Sequence, residues 1–168
     1  LSRLITLPRL PKAVLAEAVN REAERVIPVP LEQLYLSWQI IPTSGKEMMV
    51  FLAAFPRNAA DTLIRTLRSA GFAPYLIDLK PLALARVVNR ATAIIADVQP
   101  TEVDIVVMVD RVPQLIRTLS LPGETQSWPE KLSLVKEELD RTIKFYNSSH
   151  SASPLDASIP IFVSGELA

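Results

Sequence analysis

The chemistry-bearing residues of this 168-residue chain are few: one histidine, no cysteine, four glycines and a scatter of carboxylates. The histidine, His150, stands in a serine-rich stretch without an acidic neighbour to orient it. It is expected to be a solvated loop residue, because a general base must be held in a rigid pocket. Asp97 is the more informative carboxylate. It ends an apolar run and opens the turn Asp97-Val98-Gln99-Pro100-Thr101, with Asp104 beyond. A carboxylate at such a turn can face Mg²⁺ or its waters where glycine lets backbone N–H groups approach a phosphate. Here Gln99 fills that space and Pro100 removes a donor, and an aspartate that only caps the turn is the competing account. Gly45, Gly71, Gly123 and Gly165 lie too far apart to write either a dinucleotide fingerprint or a P-loop.

Two smaller groups complete the candidates. Arg57, Arg65 and Arg68 share a helical stretch with Asp61, which reads as a solvated face rather than an anion site. Tyr35, Trp38 and Phe51 are either an aromatic contact surface or ordinary sheet packing.

The elements that must position these residues follow from periodicity. Pro11 opens a helix with Leu15, Ala18, Val19, Ala23 and Val26 on one stripe, stopped by Pro28 and Pro30. Residues 34–41 alternate as a half-buried strand, and the loop 43–47 returns the chain as an antiparallel strand over 48–55. Asn58 is expected to cap a second helix with Leu63, Ile64 and Leu67 inward and Gly71 as terminator. Residues 72–79 read as a further strand.

In the second half a helix over 81–90 carries Leu82, Ala85 and Val87 or Val88. Strands follow over 92–98, 102–110 and 112–121. Ser127 and Glu130 have capping-box spacing, ahead of a helix whose Leu132, Val135, Leu139, Ile143 and Tyr146 form its stripe. Glu137–Arg141 and Asp140–Lys144 are expected pairs along it. A last strand covers 159–163.

Composition narrows the function. Eighteen basic residues balance eighteen acidic ones, so there is no electrostatic footprint for nucleic acid. The absence of cysteine excludes disulfides and thiolate metal sites. Mean hydropathy is high, +0.24, but no run approaches the ~18 apolar residues of a spanning helix. Apparent strands at both ends lead us to expect a fragment of a longer soluble protein.

Several motifs, in order, resemble a known family. Leu7-Pro8 and Leu10-Pro11, then Leu15, Ala18-Val19, Glu22-Ala23 and Ile27-Pro28-Val29-Pro30, resemble the inserted subdomain of PilM-type type IV pilus assembly proteins. So do Ala70-Gly71-Phe72 with Pro74, Ile77-Asp78, and Pro81-Leu82-Ala83-Leu84-Ala85-Arg86. Glu138-Leu139, Arg141-Thr142-Ile143, Phe145-Tyr146 and Val163-Ser164-Gly165 resemble that family's second large domain.

The resemblance implies an actin-like protein related in fold to the cell-division protein FtsA. The fold class is α+β. Residues 1–80 would form a small inserted α+β subdomain, a three-stranded sheet with two helices, used for partner or subunit interaction. Residues 81–168 would be part of an actin-like, ribonuclease-H-like domain. The implied role is a non-enzymatic cytoplasmic scaffold of the type IV pilus inner-membrane platform. It would bind the cytoplasmic N-terminal peptide of a bitopic PilN-type partner, contact other platform proteins, and be peripheral to the membrane through that partner. Self-association through an open sheet face is a further expectation.

Carried over residue by residue, the family's nucleotide-site positions are Asp97, Thr101 and Gly165. Gln99, Pro122 and Glu166 stand where the family has glycine, and its first phosphate loop would precede Leu1. The resemblance therefore implies no cofactor for this fragment, no metal and no catalytic residue, and leaves ATP with Mg²⁺ to the complete protein. The alternatives are an actin-like ATPase using Asp97, or a related cell-division or secretion scaffold.

Overall fold

The computed structural model describes residues 1–43, 45–123 and 127–166. Ser44, within the expected hairpin loop, lies outside them. The chain divides into two compact units, Leu1–Ile77 and Asp78–Ala168.

The first unit starts with β1 (Ser2–Pro8), α1 (Lys12–Val26) and a single 3-10 turn at Leu31–Gln33. Next come β2 (Leu34–Ile41), β3 (Glu47–Pro56) and α2 (Arg57–Ser69). The strands form one sheet in the order β1-β3-β2, with β3 antiparallel to both neighbours. Pleating sends alternate residues of β3 to opposite faces. Met48, Val50, Leu52 and Ala54 are buried with Ile5 and Leu7 of β1, Leu34 of β2, and Leu15, Val19 and Ala23 of α1. The heptad-like spacing of the α1 stripe thus meets a period-two stripe, and that match makes the core. The other face holds Leu4, Met49, Phe51, Phe55 and Ile41, all half-buried. Tyr35 on that face is fixed by α2: its hydroxyl donates to Asp61 Oδ1 at 3.0 Å, and the Arg57 guanidinium lies 4.3 Å over its ring.

Two expectations for this unit need correction. The strand expected over 72–79 does not form: Phe72, Tyr75 and Leu76 are 65%, 96% and 72% exposed. Pro74 in its middle lacks the N–H a ladder needs, and the segment joins neither edge of the β1-β3-β2 sheet. Asn58 is not the cap of α2 either. Pro56 holds that position, and Asn58 instead accepts the Ala59 N–H at 2.8 Å. The helix does end at Gly71, whose φ of +86° lets its own N–H reach Arg68 and the Phe72 N–H reach the Leu67 carbonyl.

The second unit contains α3 (Lys80–Val88), β4 (Ala93–Val98), β5 (Glu102–Val109), β6 (Val112–Ser120), α4 (Trp128–Ser149) and β7 (Ile161–Ser164). Its sheet runs β6-β5-β4-β7. The first three strands are an antiparallel meander turned at Asp110 and Arg111, both at positive φ, while β7 lies parallel to β4. Helices cover both faces, which is why β4 and β5 are nearly continuously apolar. Ile94, Ala96, Val98, Val103 and Ile105 meet Val135 of α4, and Ile95, Val106 and Met108 meet Ala85 of α3.

The α3 face is Leu84, Ala85 and Val88; Val87 is 82% exposed. On α4 the expected stripe holds at Val135 and Tyr146, which are buried, and at Leu139 and Ile143, which are partly buried, the last two packing with Val135 in the core, but Leu132 is 54% exposed. Lys131, Glu138 and Thr142 are buried beside that stripe. Two arginines neutralise Glu138 there, Arg117 of β6 and Arg141, each at 2.8 Å. Arg141 therefore pairs one turn back with Glu138 rather than with Glu137. The capping spacing at Ser127 is used, since the Glu130 carboxylate accepts the Ser127 N–H at 2.8 Å.

Candidate functional site

Strand register assembles the site. Asp97 of β4 stands opposite Asp104 of β5 and Ser164 of β7, and Asp104 stands opposite Thr118 of β6. Directly paired residues share a sheet face, so Ser164, Asp97, Asp104 and Thr118 form one polar row across all four strands. Two residues along from Asp97 and Asp104, Ile95 and Val106 pack against α3, which puts the row on the α3 face. The row also lies at the carboxyl ends of the parallel strands β4 and β7, where open α/β sheets take their ligands.

Two buried carboxylates directly opposite each other repel. Lys80, the first residue of α3, resolves the conflict. Its ammonium is 3.0 Å from Asp97 Oδ2, 2.8 Å from Asp104 Oδ2 and 3.1 Å from Glu102 Oε1. The remaining oxygens are also engaged. Ser164 Oγ donates to Asp97 Oδ1 at 2.8 Å, Gln99 Nε2 donates to Asp97 Oδ2 at 3.1 Å, and the Thr118 hydroxyl donates to Asp104 Oδ1. Burial pulls the Lys80 ammonium pKa down, but the hydrogen bonds to Asp104, Asp97 and Glu102 outweigh it and hold the value well above that of ordinary lysine. Burial likewise pushes the Asp97 carboxyl up. The bonds from Gln99, Lys80 and Ser164 more than offset this, and its pKa sits below the usual carboxylate value.

The turn after Asp97 is closed by the chain itself. The Gln99 N–H donates to the Glu102 carbonyl at 2.8 Å, and the Thr101 carbonyl accepts the Leu121 N–H at 2.7 Å. Buried Lys131 reaches from α4 to the Pro100 carbonyl at 2.9 Å. Thr101 itself is exposed. Gly165 packs on β4: at φ +109° an added Cβ would lie 2.2 Å from the Val98 oxygen. A close backbone approach is thus sufficient reason for glycine there.

The arrangement brings Asp97 and Gly165 to one end of the sheet, with Thr101 on the turn beside them. Its chemistry does not suit a nucleotide with Mg²⁺. A phosphate cradle needs several free N–H groups converging on one point, and this turn has one N–H turned inward and another replaced by proline. Asp97 is also neutralised by an internal ammonium. No group of three or more His, Cys, Asp or Glu able to hold a metal ion occurs among the described residues.

Lys80, Asp104 and Ser164 are members of this site that residue patterns alone do not reveal. Strand pairing makes Asp104 and Ser164 neighbours of Asp97, and the start of α3 brings Lys80 to it. The period-two position of Asp104 relative to Val106 was the available signal. The other candidates lie elsewhere. His150 ends α4, its ring stacked on Tyr146 at 4.1 Å between centroids and its Nδ1 3.0 Å from the Tyr146 carbonyl. Arg65 is exposed and donates to the Asp61 carbonyl and the Thr62 hydroxyl. Trp38 faces α1, opposite Leu52, whereas Tyr35 and Phe51 face the other way. The three aromatics therefore do not form one surface.

No protein-family model matches the chain, and no curated protein sequence does. Solved structures do. A chain of the PilM–PilN type IV pilus biogenesis complex superposes with a TM-score of 0.70 at 22% identity, covering 99% of this chain and 59% of that one. The cytoplasmic domain of EpsL, an inner-membrane component of the type II secretion system of Vibrio cholerae, gives 0.52 at 14% identity, with 99% and 58% covered. The chain thus spans somewhat under two thirds of the length of these neighbours. Its order of elements, the three-stranded antiparallel unit followed by a meander with a parallel fourth strand, is the PilM-like α+β fold.

Proposed function

We propose that this chain belongs to a cytoplasmic scaffold of a type IV pilus assembly platform and acts by holding other proteins rather than by chemistry. The observation that carries this reading is the Lys80–Asp97–Asp104 cluster. The place at the carboxyl ends of β4 and β7 is filled by the protein's own cation and hydrogen-bond donors. The likeness to a chain of the PilM–PilN complex supports a PilN-type partner, and the segment of it that this reading has the chain hold is the cytoplasmic N-terminal peptide of a bitopic inner-membrane protein. No helix among the described residues is long and apolar enough to cross a membrane, and on this reading the chain reaches the membrane's inner face through that partner. Isothermal titration of the full-length protein with the partner's N-terminal peptide tests the reading. Saturable heat at a one-to-one ratio supports it; no heat from folded protein refutes it.

The likeness to EpsL favours a second reading, a scaffold of a type II secretion platform. Titration with peptides from both systems separates the two. An actin-like ATPase would have to use Asp97, and phosphate release by the full-length protein, abolished by Asp97→Ala, would establish it.

A further inference from the structure

We infer that Arg117 and Arg141, held side by side by Glu138, form a receptor for a phosphate group on the α4 face of the second unit's sheet. Arg117 of β6 stands opposite Ile105 of β5, and Ile105 packs with Val135 of α4. Arg117 therefore rises on the α4 face, the opposite side of the sheet from the row of Asp97 and Asp104. One guanidinium lies 2.8 Å from Glu138 Oε1, that of Arg117, and the other 2.8 Å from Oε2, that of Arg141. The Glu138 side chain is 4% exposed, whereas those of Arg117 and Arg141 are 34% and 63% exposed. The anion is sunk in the protein and both cations reach water.

The fold itself calls for only one of these arginines. A buried carboxylate needs a neutralising partner, and Arg117 supplies it while tying β6 to α4. Arg141 shares a helix with Glu138, so its pairing joins no further element and sets a second positive charge against a single negative one. It also passes over Glu137, the exposed carboxylate one turn before it on α4; among the described residues its one ion pair is with Glu138. The surplus charge and the second guanidinium are therefore available to a ligand. Their mutual repulsion is already met by Glu138, and the pair is ordered before anything binds it. Each guanidinium places one nitrogen on Glu138 and keeps N–H donors on its others. A carboxylate ligand has oxygens for one such fork. A phosphate has more acceptor oxygens and up to twice the charge, so it meets both forks and offsets the surplus. That difference selects phosphate as the ligand class. This inference does not depend on the pilus reading.

Titration of the whole chain with inorganic phosphate, sodium chloride holding the ionic strength constant, tests it through the Nε–H resonances of Arg117 and Arg141. Saturable shifts at both are expected, and none with acetate at the same ionic strength. Arg117→Lys and Arg141→Lys keep a charge against Glu138 but lose the fork, and each is expected to weaken phosphate binding about tenfold or more, read at the remaining arginine. Lys136→Gln, which removes an exposed charge elsewhere on α4, is expected to bind as the original does. Far-ultraviolet circular dichroism checks that the variants fold, and Arg141→Gln, which leaves Arg117 on Glu138, replaces a lysine variant that does not. Vesicles containing phosphatidic acid, against phosphatidylcholine alone, separate the sources of the phosphate. Co-sedimentation that is lost in Arg141→Lys, on top of phosphate binding, assigns the site to a lipid headgroup; phosphate binding without it assigns the site to a free phosphate. No saturable shift, an equal response to acetate, lysine variants that bind as tightly as the original, or a Lys136→Gln variant weakened as much as they are overturns the proposal.

Discussion

Asp97 and Asp104 stand directly opposite each other on β4 and β5, almost wholly buried, and one ammonium, that of Lys80, lies within 3.0 Å of both. The like-charge pair is tolerable only because α3 begins where it does. The position of a helix start and the register of two strands are thereby one electrostatic fact.

Lys80→Met removes that charge while keeping the side chain's length. Breaking a buried ion pair on one side is worth ~3–5 kcal/mol, and because Lys80 is 42% exposed water screens part of it, so about 2 kcal/mol is expected. Urea unfolding followed by Trp128 fluorescence measures it. Adding Asp104→Asn, which removes the repulsion, is expected to recover part of the loss.

The pH dependence has a definite sign. Asp97 is depressed in the folded state, so its contribution is complete above the ordinary carboxylate value of 3.8 and is lost as the pH falls through the lower folded value. Lys80 is raised, so its contribution is complete below 10.5 and is lost as the pH rises through the higher folded value. Between these limits the cluster contributes a flat plateau. In Lys80→Met, protonating one carboxylate relieves repulsion, so its stability deficit is expected to narrow as the pH drops from neutral towards 4 (about the carboxylate range). Melting temperatures of both proteins across pH read this out.

Gly165→Ala places a Cβ 2.2 Å from the Val98 carbonyl oxygen at a φ of +109°. Strain and displacement together are expected to destabilise the second unit by about 2–4 kcal/mol. Gly45→Ala, with nothing within 4 Å of the added methyl, is expected to stay within about 0.5 kcal/mol. Thermal unfolding compares them.

Leu52→Ala hollows the first unit at a fully buried position of its central strand. A loss of ~2–5 kcal/mol is expected. Hydrogen exchange at β3 amides is the measurement, and protection factors there are expected to fall by a factor of at least ~30, since 1.4 kcal/mol is tenfold.

Local patterns in the sequence determined most of the elements. Proline placement bounded α1, the alternation of residues 34–41 and 48–55 made the hairpin, and Gly71 ended α2. These are short-range effects that need only the residue types and their spacing. Where the reading failed, long-range structure decided. Residues 72–79 have the composition of a strand but join neither edge of the sheet, and Pro74 in their middle lacks the N–H a ladder needs. On α4 the apolar stripe was legible from Val135 onward, but the burial of Glu138 beside it was not, because the arginine that neutralises it, Arg117, stands on another element. The site divides the same way. Asp97 and Gly165 could be named from a motif, yet nothing along the chain says that Lys80 and Asp104 are their neighbours. Those residues meet only through the pairing of β4 with β5 and the seating of α3. Charge interactions at 3 Å depend on positions in space, and those are fixed only once the sheet has closed.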